Sequence, residues 1–222
     1  MTREIWTSVE AYFEGLLILE DDALKAAQDT SAAAGLPPIQ VSAAMGKFMH
    51  LLARMLGARN ILEIGTLGGY STIWLARALP EGGRIITLEV NPKHAEVAQG
   101  NFARAGVANK VDLRLGQALD TLPKIAAEGC GPFDLIFIDA NKSNMPEYFD
   151  WSLKLARRGS VIIADNVVRN GAVLDVNSSD ADIQGARRFV DIAAREKRVV
   201  STVLQTVNGK GYDGFALMLV TG

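Results

Sequence analysis

The sequence predicts an α/β domain whose seven-stranded, mostly parallel sheet ends in an antiparallel strand and carries helices on both faces. From residue 58 onward, short runs of β-branched and aliphatic residues alternate with amphipathic helical stretches, a pattern typical of parallel strands joined by helices. Two strand-like runs near the end are joined by the sequence NGKG at 208–211, which indicates a hairpin and an antiparallel last strand. A length of 222 residues suits one domain.

Helices are expected both before the sheet and between its strands. Hydrophobic residues at helical spacing predict helices over 5–19, 21–34, 42–56, 70–79 and 92–105. The predicted strands are NILEIG, RIITLEV, KVDLRLG, FDLIFIDA, SVIIADN, RVVSTVLQTV and YDGFALMLVTG. We expect a single domain over 1–222, made of a helical cap at 1–57 and a core at 58–222.

Composition and charge oppose several classes of protein. Cys130 is the single cysteine, so the chain can form no internal disulfide and no cysteine-based zinc site. With 23 basic and 25 acidic side chains the net charge is −2, which argues against a nucleic-acid partner. No apolar run of about 18 residues occurs, and the start MTREIWTSVEAYF does not resemble a signal peptide. We therefore expect a cytoplasmic protein with no membrane contact.

The first two predicted strands end in residues suited to a nucleoside. After the first strand, Gly65 and Gly69 of GTLGG permit a tight turn and close approach of a ligand to the backbone. The second strand ends at Glu89, where an acid typically accepts hydrogen bonds from ribose hydroxyls. The loop lacks the G-x-G-x-x-G spacing that suits a pyrophosphate, which Glu63 would also repel. A ribose and an ammonium group together favour S-adenosylmethionine (SAM).

Acidic and amide side chains follow two later strands. Asp139 ends FDLIFIDA, and Asp165 with Asn166 ends SVIIADN. Because ligands bind beyond the carboxyl ends of parallel strands, we expect these side chains to point into one crevice. Two carboxylates and an amide oxygen suit a hard cation such as Mg²⁺. Capping of the next helix or turn is the alternative for the Asp165-Asn166 pair alone.

These motifs resemble, in the same order, those of the metal-dependent O-methyltransferases, the family of catechol and caffeoyl-coenzyme A methyltransferases. The resemblance runs from WTSVEAYF to YDGFALMLV and rests on ILEIGTLGGYS, LEV, FDLIFIDANK and ADNVVRNG. It implies a Rossmann-like class I methyltransferase fold with extra N-terminal helices. Together with the apolar N-terminal helices, it implies a homodimer. The cofactor pocket that it implies contains Val41, Glu63, Gly65, Thr66, Ser71, Glu89 and Ala118, and we expect Gly69 and Asp139 in the same pocket.

The resemblance also implies roles for residues near the acceptor. Lys142, three residues after Asp139, matches the family's lysine and would take a proton from a hydroxyl whose pKa a nearby cation lowers. Asn170 matches an asparagine that contacts substrate in plant members, although Asn-Gly is also a plain turn signal. The family's usual run has Asp where this chain has Asn141, a difference that concerns local charge and substrate choice.

The sequence therefore predicts a SAM-dependent, Mg²⁺-dependent O-methyltransferase that acts on a vicinal dihydroxy or similar chelating aromatic molecule. One alternative keeps the chemistry and replaces the acceptor by a hydroxyuridine in tRNA, which the net charge of −2 disfavours without excluding a local basic patch. A nicotinamide-dependent oxidoreductase is opposed by GTLGG. A non-catalytic nucleoside-binding module has no use for four of the residues at the strand ends and is therefore opposed by them: Asp139, Lys142, Asp165 and Asn166.

Overall fold

The computed structural model describes residues 2–222, and this part of the chain contains eight α-helices and seven strands. The helices are α1 (Arg3–Leu17), α2 (Asp22–Ala33), α3 (Ala43–Met55), α4 (Tyr70–Ala78), α5 (Pro92–Arg104), α6 (Ala118–Ala127), α7 (Met145–Leu155) and α8 (Ala181–Arg195). The strands are β1 (Asn60–Ile64), β2 (Arg84–Glu89), β3 (Val111–Leu115), β4 (Phe133–Ile138), β5 (Ala156–Ala164), β6 (Val199–Asn208) and β7 (Gly211–Val220). None of the described helices is both long and apolar enough to cross a membrane.

The strand order is β3-β2-β1-β4-β5-β7-β6. β1, β2 and β3 pair in parallel, and so do β4 and β5, whereas β7 runs antiparallel to both β5 and β6. At the hairpin between β6 and β7, the Asn208 side chain accepts the Lys210 backbone N–H at 2.8 Å, which fixes the turn. The predicted seven-stranded, mostly parallel α/β fold with an antiparallel last strand is confirmed.

The five predicted helices agree with α1 to α5 within two residues at each end. Local capping explains two of the starts: Asp21 accepts the Leu24 N–H at 3.0 Å, and Ser42 accepts the Met45 N–H at 3.2 Å. The first helix, α1, differs because none of its residues is buried, although it is rich in apolar side chains. The sequence pattern does not specify α6, α7 and α8.

The chain divides into two compact units. One unit, Ser8–Thr121, contains β1 to β3 and α2 to α5. Its fully buried side chains include Ile61, Leu62, Ile64, Ile73, Leu75 and Ile85.

The other unit comprises Leu122–Gly222 with the described residues up to Thr7. It contains β4 to β7, and in its core Phe149 of α7 meets Phe189 of α8 edge to face, with ring centroids 5.4 Å apart. The expected division into a cap at 1–57 and a core at 58–222 stays a prediction.

Candidate active site

The loop after β1 turns the chain sharply into α4. Gly65 and Gly69 have φ angles of 105° and 82°, in the left-handed region that favours glycine. At Gly69 a side chain is also excluded by space, because a Cβ there would lie 2.4 Å from the Phe102 ring. Gly69 N donates to Thr66 O at 2.9 Å and closes the turn. The glycines of GTLGG therefore have the turn function that the sequence predicts.

Glu63 of β1 is fully buried beneath this loop. Its Oε1 accepts the Ser71 hydroxyl at 2.6 Å, and its Oε2 accepts those of Thr87, at 2.6 Å, and Thr72. Because the single proton of Thr87 is used on Glu63, Thr66 must donate in the 2.6 Å contact between the two threonines. The carboxylate thus ties β1, β2 and the first turn of α4 together. Its predicted contact with an ammonium group stays a prediction.

Glu89, at the end of β2, is held in one orientation by backbone donors. Leu67 N donates to Oε2 at 2.8 Å, and Val90 N and Asn91 N donate to Oε1, each at 2.9 Å. The side chain is 7% exposed, and the Nδ1 atom of His94 lies 3.5 Å from Oε1. A carboxylate fixed in this way is preorganised to accept hydroxyl donors on its remaining lone pairs.

The other predicted cofactor residues of this unit lie around the same strand ends. Val41 is buried just before α3, and Thr66 and Ser71 are buried in the loop and the first turn of α4. Ala118 is the first residue of α6, close in sequence to Gly116, whose N–H donates to Glu89 O at 2.8 Å. These positions agree with a common pocket, and the assignment of cofactor contacts stays a prediction.

Asn101 on α5 also supports the glycine loop, and sequence reasoning missed it. Its Nδ2 donates to Gly68 O at 2.8 Å, and its Oδ1 accepts the Thr30 hydroxyl at 2.7 Å. The residue is 1% exposed, so these bonds form away from water and fix the loop against α2. An asparagine in an amphipathic helix carries no sequence signal for such a role.

In the unit of residues 122–222, β4 and β5 end side by side. Ile138 pairs with Ala164 in the parallel register, and Asp165 N donates to Ile138 O at 3.0 Å. The acids at these two strand ends are therefore neighbours. Burial raises the pKa of Asp165 to about 7; repulsion from Asp139 adds to the shift, and the Lys142 ammonium opposes it. A cation placed between these two carboxylates would relieve their repulsion.

Lys142 already supplies one positive charge at this position. Its Nζ donates to Asp139 Oδ1 at 2.8 Å, and the lysine side chain is only 7% exposed. Lysine is rarely buried unless it is paired, so this contact accounts for its location. The structure therefore brings the two predicted catalytic residues, Asp139 and Lys142, into direct contact.

The loop after β5 has a strained backbone. Asn166, Arg169 and Asn170 have φ angles of 58°, 55° and 54°, a region that asparagine tolerates better than most side chains. Asp213 of β7, which sequence reasoning missed, holds the loop by accepting Val168 N at 3.0 Å and Arg169 N at 2.9 Å. Of the two predicted asparagines in this region, Asn166 directly follows Asp165 at the strand end. Asn170 lies four residues farther along, in an exposed turn.

The predicted metal ligands fit a hard cation by their chemistry. Asp139, Asp165 and Asn166 offer two carboxylates and an amide oxygen at adjoining strand ends, which suits Mg²⁺. Across residues 2–222, no three or more His, Cys, Asp or Glu side chains are grouped as a metal site. The predicted set has only two members of those types, because its third ligand is an amide. The metal set stays a prediction.

A comparison with known families decides the enzyme class. The family model described as O-methyltransferase matches residues 17–218. The chain belongs to the O-methyltransferase family. The predicted family resemblance and the predicted enzyme class are thereby confirmed.

Individual relatives of this O-methyltransferase match it over nearly its whole length. The catechol O-methyltransferase of Niastella koreensis is 54% identical over 220 residues, covering 99% of this chain and 100% of that protein. An O-methyltransferase structure from Bacillus cereus in complex with SAH has a TM-score of 0.98 and 54% identity, covering 99% and 100% of the two chains. The O-methyltransferase TomG from Streptomyces achromogenes, in complex with SAM, has a TM-score of 0.97 and 53% identity, covering 100% of both chains.

We predict that Asp165→Asn makes the metal-free protein more stable at pH 8. The raised pKa of Asp165 means that this group favours folding while it is protonated, and that its contribution is lost as pH rises from its ordinary value of 3.8 to about 7. Asparagine keeps the shape without the buried charge. We expect the free energy of unfolding to rise by at least about 1 kcal/mol. In a protein of this size, each kcal/mol raises Tm by about 2–4 °C.

Thermal unfolding in EDTA between pH 4 and pH 8 measures this effect, and the gain should shrink as pH is lowered toward 4. Asp191→Asn, at an exposed position on α8, is the matched control and should change little. A loss of stability for Asp165→Asn at every pH would contradict the inferred charge repulsion.

Proposed function

We propose that this O-methyltransferase transfers the methyl group of SAM to a hydroxyl of a catechol-like aromatic acceptor, with Mg²⁺ as the divalent cation. The observation that carries the proposal is the constellation at the ends of β4 and β5. Two acids occupy neighbouring strand ends, and a buried lysine is hydrogen-bonded to one of them. This arrangement suits an acceptor with a removable hydroxyl proton.

SAM as the methyl donor is supported by the bound SAH and SAM in the Bacillus cereus and Streptomyces achromogenes structures. In this chain, Glu89 would accept the ribose hydroxyls, and the GTLGG turn would let the donor approach the backbone. Glu63 and Ser71 keep this turn ordered by their 2.6 Å hydrogen bond. The residues proposed to bind the donor are therefore already fixed by other contacts.

Asp139, Asp165 and Asn166 would hold the cation. When bound, a divalent cation lowers the pKa of an acceptor hydroxyl close to it. Asp139 would meet two cationic partners, because its Oδ1 already accepts a hydrogen bond from Lys142 Nζ. The raised pKa of Asp165 supports a site whose carboxylates are costly to keep charged without a nearby positive charge.

Lys142 is the proposed base. To act as a base, Lys142 would first release the ammonium proton that it carries beside Asp139. Its neutral Nζ would then take the hydroxyl proton of the acceptor, and Asp139 would stabilise the ammonium that forms again through the 2.8 Å hydrogen bond. The acceptor oxygen forms a bond to the SAM methyl carbon while the carbon–sulfur bond breaks. The products are a methyl ether and S-adenosylhomocysteine, so atoms and charge balance. Burial of Lys142 keeps this proton transfer away from bulk water.

The acceptor class is supported by relatives named catechol O-methyltransferase and, at 36% identity, by a caffeoyl-CoA O-methyltransferase of Zea mays. Vicinal hydroxyls are the feature that such acceptors share.

A cytoplasmic location and a homodimer belong to the same proposal. The dimer is supported by the exposed apolar side chains of α1, and its mass can be measured by light scattering. These side chains include Ile5, Val9, Tyr12, Phe13, Leu16 and Leu17.

Methyl transfer from labelled SAM tests the acceptor and the cation together. We expect transfer to catechol and to a caffeoyl thioester, loss of both in EDTA, and recovery on addition of MgCl₂. Phenol, with its single hydroxyl, is the matched poor acceptor, and bulk tRNA tests the nucleic-acid alternative. Transfer to tRNA alone would overturn the acceptor class, and full activity in EDTA would overturn the role of the cation.

Replacing Glu89 by Ala should weaken SAM binding by about 1.5–3 kcal/mol, the range for hydrogen bonds to a charged group. Isothermal calorimetry measures the change. Glu96→Ala, at an exposed position on α5, is the control. Because Glu89 also anchors the Leu67 N–H, Tm is measured in parallel, and Glu89→Gln should show a smaller loss. Unchanged affinity in a folded Glu89→Ala protein would remove the ribose assignment.

Replacing Lys142 by Ala should lower kcat for catechol roughly 10²–10⁴-fold, the usual contribution of a general base, while the Kd of SAM stays nearly unchanged. The defect should shrink as pH rises, since the acceptor hydroxyl then ionises without help. Lys154→Ala, which removes an exposed lysine of α7, is the matched control. Full activity of the Lys142 variant at neutral pH would show that the proton leaves by another route.

A further inference from the structure

Helix α8 lies directly against the backbone of the segment that carries Lys142. A Cβ on Gly185 would lie 2.1 Å from the Lys142 carbonyl oxygen and 2.7 Å from both the carbonyl carbon and Ser143 Cα. Real Cβ atoms do not approach backbone atoms so closely. Position 185 therefore accommodates only glycine while the Lys142 segment keeps its present location.

Two polar side chains of α8 hold the same segment. Asp182 Oδ1 accepts the Ser143 N–H at 3.0 Å, and Arg188 donates to the Ser143 carbonyl oxygen at 3.2 Å. Asp182, Gly185 and Arg188 follow one another at three-residue spacing, so they lie on neighbouring turns of one helix face. Helix α8 thus hydrogen-bonds both the N–H and the carbonyl of Ser143, and Gly185 packs closely against the backbone of Lys142 and Ser143.

Contacts from α7 and from within the segment complete its support. The Tyr148 hydroxyl donates to Asn141 Oδ1, and Asn141 Nδ2 contacts Ser143 Oγ at 3.0 Å. The lysine side chain then extends from this supported backbone to Asp139, where Nζ makes its 2.8 Å hydrogen bond. The Lys142 side chain is therefore held at both ends, by its supported backbone and by the hydrogen bond of Nζ to Asp139. Both ends together set the location of Nζ.

We propose that Gly185 and Asp182 are positioning residues, which set the location of the Lys142 amine by fixing the distance between its backbone and α8. The proposal rests on the proposed function, in which Lys142 is the base. It also explains a glycine in the interior of a helix, where glycine is otherwise unfavourable. In this role each residue acts through the lysine and its neighbour Ser143, which are the groups that it contacts.

Gly185→Ala tests the close approach, and Gly100→Ala is its matched control. Gly100 lies within α5, and an added Cβ there meets nothing within 4 Å. Alanine favours a helix more than glycine does, so Gly100→Ala should raise Tm and leave kcat unchanged. Gly185→Ala should instead lower Tm and reduce kcat for catechol about 10- to 100-fold, as expected for a base displaced by about 1 Å. The Kd of SAM should remain as in the unchanged enzyme.

A second readout needs no acceptor. Reductive methylation with formaldehyde and a borane reductant, followed by peptide mass spectrometry, measures how accessible each lysine is. Lys142, whose side chain is 7% exposed, should react slowly in the enzyme without substitutions and several-fold faster in Gly185→Ala. Lys154, which is exposed, should react at the same rate in both proteins and serves as the internal standard.

Substitutions of Asp182 provide a second test, which, unlike Gly185→Ala, adds no atoms at a crowded position. Asp182→Ala removes the acceptor for Ser143 N, whereas Asp182→Asn keeps an oxygen in the same place. We expect faster labelling of Lys142 and lower kcat in the alanine variant, with both restored toward normal in the asparagine variant. Should Gly185→Ala fail to fold, this pair still decides.

The outcomes separate the two proposals. Slow labelling of Lys142 and kcat within about twofold of normal in both Gly185→Ala and Asp182→Ala would overturn the positioning role, since a shift of about 1 Å would cost far more. A different outcome is that Lys142 labels faster in both variants while the enzyme without substitutions does not methylate catechol. That result would support the positioning of Lys142 and overturn the proposed acceptor. Equal defects in Asp182→Ala and Asp182→Asn would also overturn the role of the Ser143 hydrogen bond.

Discussion

The parallel pairing of β4 with β5 imposes the central constraint on this O-methyltransferase. Because Ile138 pairs with Ala164, the residues that follow are two acids at adjoining strand ends. Burial of Asp165, with repulsion from Asp139 added to it, raises the pKa of that carboxyl to about 7. Lys142 offsets part of the repulsion by donating to Asp139. The buried lysine, the strained loop after β5 and the contacts of α8 are all arranged around this pair of charges.

Strain and its support occur together in the same region. The loop after β5 has three non-glycine residues with positive φ, a conformation that persists only where surrounding contacts impose it. Asp213 supplies these contacts from β7 through two backbone hydrogen bonds. Gly185 and Asp182 of α8 fix the Lys142 segment. The loop after β5 and the Lys142 segment are thus each held by an element distant from them in sequence.

The glycine loop after β1 follows the same physical logic with different chemistry. Glu63 is buried and binds hydroxyls from three residues, so its charge is satisfied without bulk water. Glu89 is satisfied by backbone N–H groups, which leave it preorganised at the strand end. Asn101 connects this loop to α2 by hydrogen bonds to residues more than 30 positions away. These networks make the turn a rigid surface.

The sequence by itself determined the fold class, the first five helices and the residues at the strand ends, because each depends on local patterns. Hydrophobic periodicity gave the elements, and GTLGG, Glu89, Asp139 and Asp165 stand where strands end. Tertiary structure decided which distant groups support them. Thr87, Asn101 and Asp213 act through residues 24, 71 and 45 positions away, and no local pattern encodes such pairings. For Gly185 the sequence shows only a single glycine within a helical segment. Its role cannot be predicted from that signal, because it depends on contact with the backbone of Lys142.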